Sequence, residues 1–289
     1  MVCTHNRRDL LAQNIESLLA QRHPSFEIIY VDDGSTDDTP QLLDTVQAQH
    51  PALIRVVRTK HRGPGPARNA AAALARGKYL LFIDDDATAP PDWIAEMLRL
   101  RKEHDSAVLC GGIEPFSMES PVERYLHYRM RTALGHKPHE LKSAPTGNLL
   151  IDRAAFEAAS GFRDLFLPAA EDWDLSYRLR QQGARIFYDP AAAVVHRYSR
   201  DRARAEQAIR TIGAAGVYVA RLQGRSPAAY TAYALLRFAA GPILVAQRYP
   251  LELYWLALRM EWLFASSRAR AYVRMLLGKP VFQEPTASE

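Results

Sequence analysis

The sequence predicts an α/β fold, with a mostly parallel central sheet flanked by helices over residues 1–196 and a helical extension over 197–289. Three observations carry this. Short apolar runs alternate with helical stripes through the first two thirds of the chain, the pattern of a parallel sheet. The first strands give way directly to polar or acidic clusters, and such folds gather ligands at the carboxyl ends of their strands. After residue 197 the strand signals stop, and alanine, leucine, tyrosine and arginine take over at helical spacing.

With 289 residues, 48% hydrophobic and 24% charged, the chain can bury a sizeable core. Cys3 and Cys110 lack metal-type spacing and are too few for a disulfide framework. No leading basic-then-apolar segment reads as a signal peptide, so the expected compartment is the reducing cytoplasm. The net charge of +5 is unevenly placed. Residues 1–196 hold 23 Lys and Arg against 26 Asp and Glu, whereas residues 197–289 hold 14 against 6. A basic tail behind an acidic body suits an anionic membrane or an acidic acceptor. No nucleic-acid motif accompanies it, and nucleic acid is not expected as a partner.

Taken in order, Met1-Val2-Cys3 reads as the end of a strand, where about five or six residues are usual. The expectation is either an unusually short first strand or a start placed downstream of the true one. Thr4-His5-Asn6-Arg7 makes a polar turn, and Leu11, Ile15 and Leu18 mark one face of a helix. Phe26 to Val31 is the next strand. It ends in Asp32-Asp33-Gly34-Ser35-Thr36-Asp37, a carboxylate pair, a glycine turn and hydroxyl caps for another helix. Leu53 to Val57 is a third strand, and the helix Pro66 to Ala75 carries Arg68 and Asn69 near its start.

Tyr79 to Ile83 then forms a buried strand, followed at once by Asp84-Asp85-Asp86. Three adjacent negative charges repel, and a hard divalent cation such as Mg²⁺ or Mn²⁺ relieves them. Side chains alternate along an extended chain, so Asp84 and Asp86 share one side and Asp85 faces the other. The plainer alternative is a solvated acidic turn before the helix that opens at Pro91-Asp92-Trp93. Because Thr4–Arg7, Asp32–Asp33 and Asp84–Asp86 each follow an apolar strand, the topology predicts that all three line one crevice.

Residues Glu114 to Lys142 look irregular. Phe116, Tyr125 and Tyr128 mix there with His127, His136 and His139, which have no ligand spacing and read as surface or packing residues. A mobile loop closing over substrate is the functional alternative. Thr146 to Ile151 restores a strand after the turn at Gly147. Gly161-Phe162 opens a loop into Glu171-Asp172-Trp173-Asp174 and a helix with Leu175 and Leu179 on its apolar face. Acidic residues in a first helical turn suit the dipole, so plain capping is the alternative for Glu171-Asp172. Ala184 to Tyr188 and Ala193 to Val195 form two further strands, the second closing with His196.

Cys3 to Arg7, Val31 to Asp37, Ala67-Arg68-Asn69, Phe82 to Asp86 and Glu171 to Leu175 occur in an order and spacing that resemble the family 2 glycosyltransferases of the GT-A fold. The resemblance covers about residues 2–196. It implies a GT-A-like nucleotide-binding fold and an inverting, metal-dependent transfer from a nucleoside-diphosphate sugar. The acceptor would be a hydroxyl on a sugar, a lipid-linked sugar or another molecule, in cell-surface polysaccharide or glycolipid synthesis. Thr4, Asn6 and Arg7 would lie near the nucleotide, Asp33 or Asp32 would hold the base or ribose, and Arg68 would lie near the diphosphate. Asp84 and Asp86 match the Asp-x-Asp element that holds Mn²⁺ or Mg²⁺. Asp172 matches the catalytic base, while Asp85, Gly147, Asn148, Glu171 and Trp173 fall on the substrate-binding surface. His196 resembles a metal-binding histidine of some relatives, with a structural histidine as the alternative. The short first strand departs from the family pattern at the first wall of the nucleotide pocket.

In the tail, Ser226 to Gln247 carries Arg237 as its only charge and is long enough to span a bilayer, but Pro242 and Arg237 argue against a span. Leu251 to Phe264 is apolar on nearly every side, with Trp255 and Trp262. Such a helix is buried in protein, joins a second copy, or lies in a membrane interface, here the cytoplasmic face. Gln283 to Glu289 reads as disordered. Two rival functions are a sugar nucleotidyltransferase and a non-catalytic membrane-associated adaptor. The turn at Thr4–Arg7 lacks the glycine-rich loop of the first, and intact Asp84, Asp86 and Asp172 weigh against the second.

Overall fold

The computed structural model describes residues 1–164 and 167–282; the expectation for Gln283 to Glu289 lies outside them. A parallel three-stranded sheet comes first. β1 (Val2–Thr4) pairs with β2 (Ile28–Asp32), and β2 with β3 (Ile54–Arg58). Helices α1 (Arg8–Leu19), α2 (Thr39–Gln49) and α3 (Pro64–Leu74) connect these strands and lead into β4 (Tyr79–Ile83). Leu11, Ile15 and Leu18 of α1 are buried, as their spacing predicts. β1 is three residues long, and a cavity of about 610 Å³ lies near its beginning, lined in part by Met1, Phe26 and Tyr79. The Met1 amino group donates to the Leu81 carbonyl at 2.8 Å, and the Ile83 amide donates to the Met1 carbonyl at 3.3 Å. These two bonds join the parallel sheet to the second one.

The second sheet is mixed. After β4 come β5 (Ala87–Thr88), α4 (Trp93–Glu103), β6 (Val108–Pro115), α5 (Pro121–Leu134), β7 (His139–Glu140), β8 (Asn148–Asp152), α6 (Arg153–Ala158), α7 (Glu171–Gln181) and β9 (Ile186–His196). Their order across the sheet is β4-β8-β6-β9-β5, with β7 also on β9. β8 runs antiparallel to both β4 and β6 while β6 and β9 run parallel, so a mixed sheet stands beside the parallel first one.

Two elements differ from the sequence reading. β6 went unread because its apolar run stops at Gly111-Gly112, yet it is central and buried. The two strands predicted between Ala184 and Val195 are one strand, β9, whose register against β6 shifts between Gly111 and Ile113. The stretch expected to be irregular holds α5, started by a capping box. Ser120 Oγ accepts from the Glu123 amide at 3.1 Å, and Glu123 Oε2 accepts from the Ser120 amide at 2.8 Å. Pro121 follows the cap as the first helical residue.

Helices make up most of the tail's described residues: α8 (Arg202–Leu222), α9 (Pro227–Ala239), α10 (Gly241–Arg248) and α11 (Tyr254–Leu276). Ala205, Ile209, Met260 and Leu263 form its core together with Val122 and Tyr125 of α5, so the body contributes a helix to the tail. Tyr125 stacks on Tyr249, ring centroids 5.3 Å apart. Among the described residues no single helix is long and apolar enough to cross a membrane. The pair α9 and α10 reaches that length only across a 72° bend, which falls beside Pro242.

Candidate active site

β4 delivers the chain into the acidic turn. Asp84 Oδ1 lies 3.5 Å from Arg68 Nη2, and Asp84 Oδ2 lies 3.6 Å from His196 Nε2. The same histidine nitrogen is 3.0 Å from Asp86 Oδ1. Pairing of β5 with β9 sets this up, because Ala87 sits opposite His196. Asp84, Asp86 and His196 each offer one ligand atom, and these atoms lie within 4.8 Å of one another. Asp85 turns the other way and is buried beside Thr4. The alternation read from the strand therefore holds.

The electrostatics of this cluster call for positive charge. Burial opposes charge on His196, but Asp86 and Asp84 outweigh it and push the imidazole up to about 10. Burial likewise works against the Asp84 carboxylate, and His196 and Arg68 together bring it below its ordinary range. Burial and Asp86 push Asp85 up to about 7. His196 Nε2 approaches Asp86 Oδ1 without hydrogen-bond alignment, which leaves that buried oxygen without a donor. A Cβ at Gly147 would stand 2.7 Å from Asp84 Oδ2, so the turn before β8 has room for glycine alone. Two carboxylates and an imidazole fit a divalent cation.

A second carboxylate pair opens α7. Arg68 Nη1 donates to Glu171 Oε1 at 2.5 Å, and both side chains are nearly buried. Asp172 has no cationic partner among the described residues; its Oδ1 accepts the Trp173 amide at 2.8 Å. Asp172 keeps partial solvent access, yet burial and the neighbouring Glu171 push its carboxyl up to about 8 against the pull of Arg68. Ala170, just before the pair, holds a left-handed φ of 65° without being glycine. Such strain persists only where surrounding packing holds it, and here Leu167, Ala215 and Val219 do so.

Residues 1–159 match the family described as Glycosyl transferase family 2. The chain belongs to that family. A relative named succinoglycan biosynthesis protein ExoO, from Rhizobium meliloti (strain 1021), is 33% identical over 119 residues, 41% of this chain and 34% of its own length. A putative teichuronic acid biosynthesis glycosyltransferase, TuaG from Bacillus subtilis (strain 168), is 30% identical over 125 residues, 43% of this chain and 50% of its own. The match thus spans a third to a half of these curated relatives. Among solved structures, the mannosyltransferase PcManGT from Pyrobaculum calidifontis, in complex with GDP-Man and Mn²⁺, superimposes with a TM-score of 0.66. It shares 18% identity and covers 96% of this chain and 86% of its own, which shows the GT-A fold. The family match ends before Asp172 and His196, so their roles rest on geometry.

The first polar clusters converge on the same end of the family 2 fold. Thr4 pairs in register with Asp32, and Arg7 Nη1 reaches within 3.9 Å of Asp86 Oδ2. Asn6, at φ 52°, accepts the Thr36 amide at 2.7 Å and ties the first turn to the second. Asp33 is committed to the chain after β3. It accepts from the Thr59 hydroxyl at 2.7 Å and the Gly63 amide at 2.9 Å. Asp32 is buried and accepts the Ser35 amide at 2.9 Å. Both carboxylates are therefore held by the chain around them.

One expected substrate contact sits in the framework, and another faces away from the acidic turn. Asn148 is fully buried, donating to the Gly112 and Ala192 carbonyls at 2.8 and 2.7 Å and accepting from Trp93 Nε1 at 2.9 Å. Trp173 points its ring toward Gly216 of α8 rather than at the acidic turn. Sequence reasoning missed Asn14. This buried α1 residue donates to the Asp84 and Ala87 carbonyls at 3.1 and 2.8 Å and accepts from the Tyr30 hydroxyl at 2.9 Å. It fastens the acidic turn to the body. Its signal was present: a lone polar residue on the apolar stripe between Leu11 and Leu18.

Proposed function

We propose that this chain transfers a glycosyl unit from a nucleoside-diphosphate sugar to an acceptor hydroxyl in one inverting displacement, with a divalent cation held by Asp84, Asp86 and His196. The observation that carries this reading is the division among the carboxylates. Asp84 and Asp86 converge with His196, Glu171 is held by Arg68, and Asp172 is left without a cation. A cation bound there supplies positive charge to the departing diphosphate. Arg68 and Arg7 add charge at the same end of the sheet. Asp172 takes the acceptor proton on its carboxylate, since a sugar hydroxyl is a weak nucleophile until a base engages it. A single displacement with one base inverts the anomeric carbon.

The proposed division places catalysis in 1–196 and leaves 197–289 as the extension. The relatives named for succinoglycan and teichuronic acid biosynthesis support a role in cell-surface polysaccharide or glycolipid synthesis. A lipid-linked acceptor would bring the chain to the cytoplasmic face of the membrane, and the apolar side chains exposed in the tail support that contact. Leu236, Ile243, Leu251 and Trp255 are each more than 60% exposed.

Incubation with radiolabelled nucleotide sugars, Mn²⁺ or Mg²⁺ and candidate acceptors tests the reading. Label should move to an acceptor, and a chelator should stop it. Pyrophosphorolysis would instead identify a nucleotidyltransferase, and no turnover with any donor would favour the adaptor.

A further inference from the structure

A second cavity, of about 420 Å³, opens between α7, α8 and the start of α9. Its volume falls in the range of about 300–1,000 Å³ usual for small-ligand sites. Trp173, Tyr177 and Tyr230 contribute half-buried aromatic surface, while Lys142, Arg180 and Arg225 stand exposed around it. Among the described residues no acidic side chain lines the space. The three cations have no carboxylate partner among the described residues. Nearby arginines behave differently: Arg178 and Arg163 reach Asp174 at 2.8 and 3.0 Å. Arg225 instead lies 5.6 Å from the centroid of the Tyr230 ring. Three like charges around one hollow repel unless an anion enters it.

The pocket is built for flat rings as well as for charge. A Cβ at Gly216 would stand 2.9 Å from the Trp173 ring and 3.2 Å from the Tyr230 ring, so α8 seats both rings where only glycine fits. Aromatic faces cover the C–H faces of a sugar, and arginine matches a carboxylate or phosphate with paired donors. The pocket also touches the proposed base through one residue, because the Trp173 amide donates to Asp172 Oδ1 at 2.8 Å.

We infer that this pocket binds the anionic part of the acceptor, a sugar ring that carries a carboxylate or a phosphate. The inference rests on the reading of Asp172 as the base. It narrows the acceptor from any hydroxyl to an acidic glycan or a sugar phosphate.

Ligand-observed NMR titration at low salt tests it, with glucuronate, glucose 6-phosphate, glucose and inorganic phosphate as probes. At least one of the two anionic sugars should bind tenfold or more tighter than glucose, and which one does so identifies the carboxylate or the phosphate. An Arg180→Ala/Arg225→Ala variant, altered only at exposed positions, should lose at least tenfold of that affinity. Tyr230→Leu should weaken the anionic sugar more than it weakens inorganic phosphate. Equal binding of glucose overturns the charge requirement. An undiminished affinity in the double-arginine variant overturns the location, and equal binding of inorganic phosphate and glucose 6-phosphate overturns the sugar. Thermal stabilisation by nucleotide diphosphates with Mn²⁺, measured on the same samples, separates the two readings. If it is absent in the wild type, the glycosyltransfer reading fails. If it is present while neither anionic sugar binds, only this inference fails.

Discussion

Arg68 donates to Glu171 Oε1 at 2.5 Å and so gives two adjacent carboxylates different surroundings. Glu171 is the counter-ion of a buried arginine, and Asp172 has no cationic partner among the described residues. The same guanidinium lies 3.5 Å from Asp84, so one side chain links the acidic turn after β4 to the start of α7. Breaking a buried pair of this kind costs about 3–5 kcal/mol, because it strands a charge. Arg68 thus serves both the fold and the site.

The acidic turn gives the first prediction. Asp86→Ala removes one of three convergent ligands and should abolish turnover and the Mn²⁺ dependence of nucleotide binding, with the fold retained. Circular dichroism and nucleotide titrations with and without Mn²⁺ check it. Undiminished metal dependence in the variant would place the cation elsewhere.

Asn14 gives the second. Asn14→Leu keeps the volume but leaves the Ala87 carbonyl and the Tyr30 hydroxyl without their buried partner, and the Asp84 carbonyl with the Ala87 amide alone. Each orphaned group costs about 1–3 kcal/mol. Urea unfolding should show a loss of several kcal/mol, and Mn²⁺ affinity should fall as the turn loosens. A loss below about 1 kcal/mol would mean that these bonds are replaced by water.

Much of this was legible in the sequence because strands and turns declare themselves locally. The run Tyr79 to Asp86 shows both its burial and its alternation in eight letters. The convergence of Thr4, Asp32 and Asp84 follows from the parallel connection rule. What stayed hidden depends on partners distant in sequence. Gly111 and Gly112 look like a break until Asn148 and the carbonyls of β9 occupy the space their side chains would need. Asp33 reads as a ligand, and the hydrogen bonds it accepts from the Thr59 hydroxyl and the Gly63 amide come from a segment too distant to be read beside it. The capping box at Ser120 and Glu123 is a local signal for the start of α5, although the aromatics and histidines that follow it show no clear strand or helix pattern.

Asp172 also sets a pH dependence. Its folded pKa of about 8 lies above the ordinary carboxyl value of 3.8. The folded state therefore holds this proton more tightly, and the resulting stability is full below pH 3.8 and is lost as pH rises to about 8. Without metal, Asp172→Asn should melt above the wild type at pH 8.5 and close to it near pH 4. Transfer should rise with pH through neutrality, since a base works only when ionised. Scanning calorimetry at the two pH values checks the sign, and a stabilisation larger at pH 4 would reverse it.

The tail should answer to membranes. Arginines near an anionic surface contribute about 1 kcal/mol each, and screening shortens their reach to about 8 Å at physiological salt. The chain should float with anionic liposomes at low salt, less so at high salt and little with neutral ones. Absence from every floating fraction would leave the apolar faces of α9 to α11 to a second copy or another protein.

The assignment of Asp172 as the base is the centre of the account, and single-turnover transfer by Asp172→Asn tests it most directly. The substitution keeps shape and charge-free packing but cannot accept a proton. With donor affinity held within twofold of the wild type, the rate should drop by about 10²–10⁴-fold, the usual cost of losing a general base. A near-normal rate at unchanged donor affinity would contradict the account and move the proton to another group, with Glu171 the first to test.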